Sequence, residues 1–305
     1  MLRLFLTGAA MGAADVVPGV SGGTIAFISG IYFRLLNAIR SVPSAVAVLF
    51  KDGFAAAWAH IDGTFLAVLG SGIALSILSL ARLISWLLAN YPSAVWGFFF
   101  GLIIASCVYL GTQVRWRWQE CVFLVAGIAI AILIGNIRPT EVEATTATIF
   151  FSGAIAICAM ILPGISGSFI LLIIGMYPTV INALKSFDIV FIITFASGCL
   201  VGLLGFSHVL SYLITRFQGP VLALLTGFLA GSLAMVWPWQ HVVESYEKSD
   251  GRVVALRTEN LMPNEFAQLS GQDPYTITVV GLMVFGVVLV FLMSRLGPGE
   301  QQTDS

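Results

Sequence analysis

Two short runs carry the residue types that anion chemistry needs. Pro18-Gly19-Val20-Ser21-Gly22-Gly23-Thr24 returns later in the chain as Pro163-Gly164-Ile165-Ser166-Gly167-Ser168-Phe169. Glycines such as Gly22, Gly23 and Gly167 let a backbone turn and come close to a ligand. The hydroxyls of Ser21, Thr24, Ser166 and Ser168 donate hydrogen bonds, and a helix restarting near Thr24 offers unpaired N–H groups at its positive end. Together these are the parts of an anion site. The same residue types also let membrane helices pack closely, so a packing or kink role stays open beside the binding one.

Three ionisable residues lie near or within apolar runs, where a charge costs about 2.5–3.5 kcal/mol even on the lenient insertion scale. Arg82 and His208 fall at equivalent positions of a repeated block, described below. Arg82 can pair bidentately with a phosphate, or snorkel to an interface. His208 can donate or carry a proton, or simply pack. Asp15 precedes the first run where the second copy has Met160; it can carry a coupling proton or cation, or satisfy nearby backbone donors. Tyr32, Tyr177, Asn37 and Asn182 are read as interface anchors and hairpin ends.

The elements that hold these residues belong in a bilayer. Of 305 residues, 58% are hydrophobic and only 10% charged, with a mean hydropathy of +0.98, which leaves too little polar surface for a soluble domain. Several apolar runs reach the roughly 20 residues a spanning helix needs, and they are continuous rather than alternating, which excludes a β-barrel. The formal net charge of -1 gives no sign of a nucleic-acid partner. Cys107, Cys121, Cys158 and Cys199 lack the spacing of a metal or redox motif and are expected to be small core residues. No metal site and no cofactor are expected. A signal-peptide reading of the N-terminus is set aside because that segment recurs within the chain.

The match between the copies continues through Gly30/Gly175, Tyr32/Tyr177, Asn37/Asn182 and Ala38/Ala183. A second block pairs Gly72 with Gly198, Ser85 with Ser211, Leu87 with Leu213, Gly101 with Gly227 and Ser106 with Ser232. The expected fold is therefore an all-α polytopic membrane protein of two repeats, 1–145 and 146–305. Each repeat opens with a broken-helix hairpin, 4–33 or 149–178, whose pieces are too short to cross alone and so are expected to re-enter. Spans follow at 64–89, 93–110 and 121–137, then at 189–215, 221–237 and 276–294. Segment 51–63 is an insertion, interfacial or plain loop, and 238–274 is a solvated outer loop or small cap.

Three spans per copy require the second copy to insert upside down. With cytoplasmic termini, Arg3, Arg34, Arg40, Lys51, Arg115, Arg117, Arg216 and Arg295 lie inside, and Arg138, Lys185, Lys248, Arg252 and Arg257 outside, a distribution the positive-inside rule favours. A rival topology with 25–50 as one span would bury Arg34 and Arg40 and contain Pro43. Inverted repeats with broken helices are the recurring architecture of secondary transporters.

The run Gly12-Ala13-Ala14-Asp15-Val16-Val17-Pro18-Gly19-Val20-Ser21-Gly22-Gly23-Thr24, the following Gly30-Ile31-Tyr32, and Leu162-Pro163-Gly164-Ile165-Ser166-Gly167-Ser168 resemble the polyprenyl-phosphate transporters of the PopT type. The resemblance covers most of the chain. It implies a protein of the bacterial cytoplasmic membrane that returns undecaprenyl phosphate from the outer to the inner leaflet by alternating access, recycling it for cell-envelope synthesis. Its partners would be that lipid, the surrounding membrane lipids and H⁺ or Na⁺ as coupling ion, with a homo-oligomer left open. A small-anion channel or exchanger is the alternative, since the same helix ends bind halide. A membrane undecaprenyl pyrophosphate phosphatase ranks behind it, because the arginine and glutamates of that family's pattern are missing here.

Overall fold

The computed structural model describes residues 1–17, 20–137, 142–247 and 253–296. Pro18, Gly19, Arg138, Lys248 and Arg252, all used in the sequence reading, lie outside them. The fold is helical. The first part of the chain forms α1 (Leu2–Asp15), α2 (Gly22–Ile28), α3 (Tyr32–Arg40), α4 (Val42–Asp52), α5 (Phe54–His60), α6 (Gly63–Asn90), α7 (Pro92–Gln113) and α8 (Trp118–Gly135). There follow α9 (Thr146–Ile161), α10 (Gly167–Ile173), α11 (Tyr177–Lys185), α12 (Ile189–Arg216) and α13 (Gln218–Ser232). A hairpin of β1 (Gln240–Glu247) and β2 (Val253–Asn260), then α14 (Pro263–Ser270), leads into α15 (Thr276–Leu296). Among the described residues, 5 helices are long and apolar enough to cross a membrane, or up to 7 if two bent pairs each count as a span. The protein is a polytopic membrane protein.

Both glycine-rich runs break their helices as the residue types require. α1 stops at Asp15 and α2 restarts at Gly22, two residues before the expected point; α9 stops at Ile161 and α10 restarts at Gly167. Each restart lasts 7 residues and ends at a left-handed glycine, Gly30 at φ 70° or Gly175 at φ 78°. There the chain bends by 115° into α3 and by 109° into α11. That bend, and a second helix boundary at Ser41, overturn the rival reading of 25–50 as one continuous span.

Small residues fix how the long helices meet. A Cβ on Gly72 of α6 would sit 2.2 Å from the Phe5 carbonyl oxygen of α1, and one on Gly198 of α12 would sit 2.0 Å from the Phe150 carbonyl oxygen of α9. The same contact is thus made twice, at positions the sequence pairs. A second contact also recurs: Gly101 of α7 lies against Met283 of α15, and Gly227 of α13 against Gly127 of α8. In all of these pairs the helices run parallel. Gly8 meets Leu69 and Gly12 meets Ile73; Gly97 meets Val279 and Gly101 meets Met283; Gly127 meets Leu224 and Gly135 meets Met235. The one-residue connections α6–α7 and α12–α13 share a backbone conformation, φ -136°, ψ 53° at Tyr91 and φ -136°, ψ 51° at Phe217.

Elsewhere the structure refines the sequence reading. The insertion is helical, with Phe50 and Phe54 exposed on α4 and α5 and Trp58 Nε1 donating to Thr64 Oγ1. α13 ends at Ser232, short of the expected 237, and beyond its end Asn260 donates to the Ala234 carbonyl and Gln240 to that of Met235. Within segment 238–274 the described residues form β1, β2 and α14, and Trp239 and Phe266 pack with Val279 of α15. Cys121 is exposed and the other cysteines are half-buried rather than core residues.

Candidate functional site

The two breaks meet. Ser21, at the N-cap of α2, accepts the Gly23 N–H through its hydroxyl at 3.1 Å and donates the same hydroxyl to the Met160 carbonyl at the end of α9, at 3.0 Å. Thr24 Oγ1 accepts the backbone N–H of Gly164, in the second break, at 3.3 Å. Tyr32 Oη donates to the Ile161 carbonyl at 3.2 Å. A side chain at Gly23 would put its Cβ 2.7 Å from that same Ile161 oxygen, so only glycine lets the first break approach the end of α9 this closely. Ser21, Gly22, Gly23, Thr24, Ser166 and Gly167 are all buried.

The two helix restarts differ in how their first amides are satisfied. At α2 the Gly22 N–H donates to Asp15 Oδ1 at 2.7 Å, so a carboxylate from the chain itself occupies the place where an external anion would bind. The donors that sequence reading left free are therefore partnered at this end. At α10 no side chain caps the first amides, and Ser166 Oγ lies 2.8 Å from Ser168 Oγ. One of those hydroxyls donates to the other, and the accepting one keeps its own O–H for a further partner.

Beside the first break lies a cavity of about 180 Å³. Asp15, Gly22, Gly23 and Tyr32 form its polar edge, and Leu36, Ile73, Met160 and Leu203 are among the side chains of its apolar wall. A headgroup drawn to the polar edge would have hydrocarbon walls next to it.

Seven of the ten candidate residues from the sequence are thus gathered in the two breaks, and Asp15 joins them through Gly22. Arg82 and His208 are not. Both are exposed, neither lines the cavity, and His208 Nδ1 is 2.9 Å from the carbonyl of Leu204 on its own helix. Sequence reading missed Tyr32, taken as an interface anchor: it is 3% exposed and tied to the opposite break. Its fixed spacing from the first break was the available signal.

The family profile described as undecaprenyl phosphate translocase-like matches residues 11–254. The chain is 47% identical over 296 residues to a polyprenyl-phosphate transporter of Vibrio cholerae, spanning 96% of either protein. It is 34% identical over 252 residues to a polyprenyl-phosphate transporter of Staphylococcus aureus, with 76% of this chain and 85% of the relative aligned. No solved structure matches at a significant level.

Proposed function

The chain belongs to the undecaprenyl phosphate translocase-like family, and on that premise we propose that it returns undecaprenyl phosphate from the outer to the inner leaflet of a bacterial cytoplasmic membrane, for reuse in cell-envelope synthesis. The family and its named relatives are translocases and transporters, so the protein is a transporter and not an enzyme. The observation that carries the reading is the direct bond between the breaks, Gly164 N–H to Thr24 Oγ1. Buried non-helical backbone from both halves of the chain converges on one place, as a midplane transport site requires.

In this reading the phosphate is held by Ser166, Gly167 and Ser168 at the uncapped start of α10, and Ser21, Gly22, Gly23 and Thr24 of the first break complete the path. The polyprenyl chain stays along apolar helix faces. Asp15 competes with the phosphate for the Gly22 N–H, and two anions repel at that distance. A proton or a Na⁺ taken up at Asp15 removes the conflict, and either serves as the coupling ion in this reading. Arg82, on the exposed stretch of α6, captures headgroups before they reach the breaks, and His208 is its counterpart in the second copy.

The parallel packing of α8 with α13 and of α7 with α15 supports inverted repeats. If the tight connections at Tyr91 and Phe217 are hairpins, parallel α8 and α13 require the second copy to cross the membrane in the opposite sense. The two copies then supply two states open to opposite faces, and both termini are cytoplasmic. Transfer of undecaprenyl phosphate between leaflets of proteoliposomes tests the function; transfer no faster than in empty liposomes overturns it.

A further inference from the structure

One cluster joins the two copies away from the breaks. Arg40, in the last turn of α3, donates from Nη1 to Ser211 Oγ on α12 at 2.9 Å, and Ser211 Oγ lies 3.5 Å from Asn37 Oδ1 on α3. Ser211 is buried, at 6% exposure. The cluster shares its two helices with the cavity: Ile39 of α3 and Leu203 of α12 line it, and Ser211 follows Leu203 about two helical turns on.

Every member of this cluster has a counterpart in the other copy. Ser85 corresponds to Ser211 and Asn182 to Asn37, and Lys185 follows Asn182 at the spacing by which Arg40 follows Asn37. Yet the counterpart cluster is not assembled. Among the described residues no hydrogen bond joins Ser85 to Asn182 or Lys185, and Ser85 is exposed where Ser211 is buried. α3 packs along α12, whereas α11 has no comparable packing along α6. Two equivalent sets of donors and acceptors are therefore in different states within one molecule.

We propose that Arg40, Asn37 and Ser211 form one gate of the transport pathway, that Lys185, Asn182 and Ser85 form the other, and that the two close alternately. The proposal rests on the transporter reading above. With cytoplasmic termini the closed gate faces the cytoplasm, and the state described here is the one that receives lipid from the outer leaflet. The chemistry suits a gate better than a permanent clamp. Arg40 is bonded to a neutral hydroxyl, not to a carboxylate, so breaking the bond leaves no partner charge stranded. Lys185 offers the same charge with looser geometry.

The test uses full-length protein in membranes with Cys107, Cys121, Cys158 and Cys199 replaced. The paired substitutions Asn37→Cys/Ser211→Cys and Asn182→Cys/Ser85→Cys are cross-linked with a short bifunctional thiosulfonate, and the same pairs carrying spin labels report the distances without cross-linking. Both pairs are expected to link, and locking the first should abolish linkage of the second. Arg40→Gln should raise the Asn182/Ser85 fraction about tenfold, the effect of losing one hydrogen bond to a charged group. An Asn182/Ser85 distance that stays long in every condition, or simultaneous linkage of both pairs in one molecule, overturns the proposal. Alternating linkage without any movement of undecaprenyl phosphate would keep the gates and sink the substrate. Wild-type transfer with the Asn37/Ser211 pair locked would do the reverse.

Discussion

Gly164 donates its backbone N–H to the hydroxyl of Thr24 at 3.3 Å, so the two glycine-rich breaks are hydrogen-bonded to each other across the molecule. Backbone groups freed by a break need partners at membrane depth. Here side chains at and just after the first break supply partners for backbone groups of the second, through Thr24 to Gly164, Ser21 to Met160 and Tyr32 to Ile161.

Thr24→Val keeps the shape of the side chain but leaves the buried Gly164 amide without an acceptor, at a cost of about 1–3 kcal/mol. The melting temperature of the purified protein in detergent should fall, and Thr24→Ser should restore it. A Thr24→Val protein as stable as the wild type would mean that the bond contributes nothing.

The two N-cap serines should separate stability from transport. Ser21 bridges Gly23 and Met160, so Ser21→Ala should lower the melting temperature. Among the described residues the Ser166 hydroxyl bonds to that of Ser168 alone, so Ser166→Ala should leave melting unchanged while slowing lipid transfer. Equal effects of both substitutions on melting would remove the distinction between a structural first break and a binding second one.

Glycine-to-alanine substitutions on α6 offer a position-by-position test of the helix packing. At Gly72 the new Cβ meets the Phe5 carbonyl oxygen at 2.2 Å, while at Gly70 it meets nothing within 4 Å. Membrane abundance should drop for Gly72→Ala and stay level or rise for Gly70→Ala, which gains about 1 kcal/mol of helix propensity. A matching fall at both would show that helix packing does not explain the need for glycine.

Much of this was legible in the residues. The breaks announced themselves because Pro, Gly and Ser inside apolar runs are costly in hydrocarbon, and because they occurred twice in the same order. Five of the six expected spans followed from hydropathy, α6 and α12 ending within two residues of expectation, whereas the span expected at 221–237 is the shorter helix α13. What stayed hidden depends on contacts between distant segments. Nothing local in Tyr32 says that its hydroxyl reaches Ile161, and nothing in Asp15 says whether it caps a helix or faces a ligand. Arg82 was chosen for the cost of placing its charge within an apolar run, but it lies just past the Gly63–Leu80 stretch of α6, on the outside of the helix packing, and does not join the breaks. The β1–β2 hairpin lay in a polar stretch with no clear periodicity, so its strands could not be read.

Asp15→Asn retains an oxygen for the Gly22 N–H but cannot exchange a proton. If Asp15 couples lipid movement to H⁺, the variant should fold normally and transfer lipid at a rate that no longer responds to an imposed proton gradient. An undiminished response in Asp15→Asn would assign the residue to helix capping alone.

We propose that the joined breaks hold the phosphate of a polyprenyl monophosphate during its passage between leaflets. The most direct test of this claim is undecaprenyl phosphate transfer in proteoliposomes, comparing wild type, Ser166→Ala/Ser168→Ala and Arg82→Ala at matched reconstitution. The account predicts protein-dependent transfer in the wild type, loss of it in the double serine variant, and slower transfer in Arg82→Ala that Arg82→Lys partly recovers. Wild-type transfer by the double serine variant, with its fold intact, would contradict the claim.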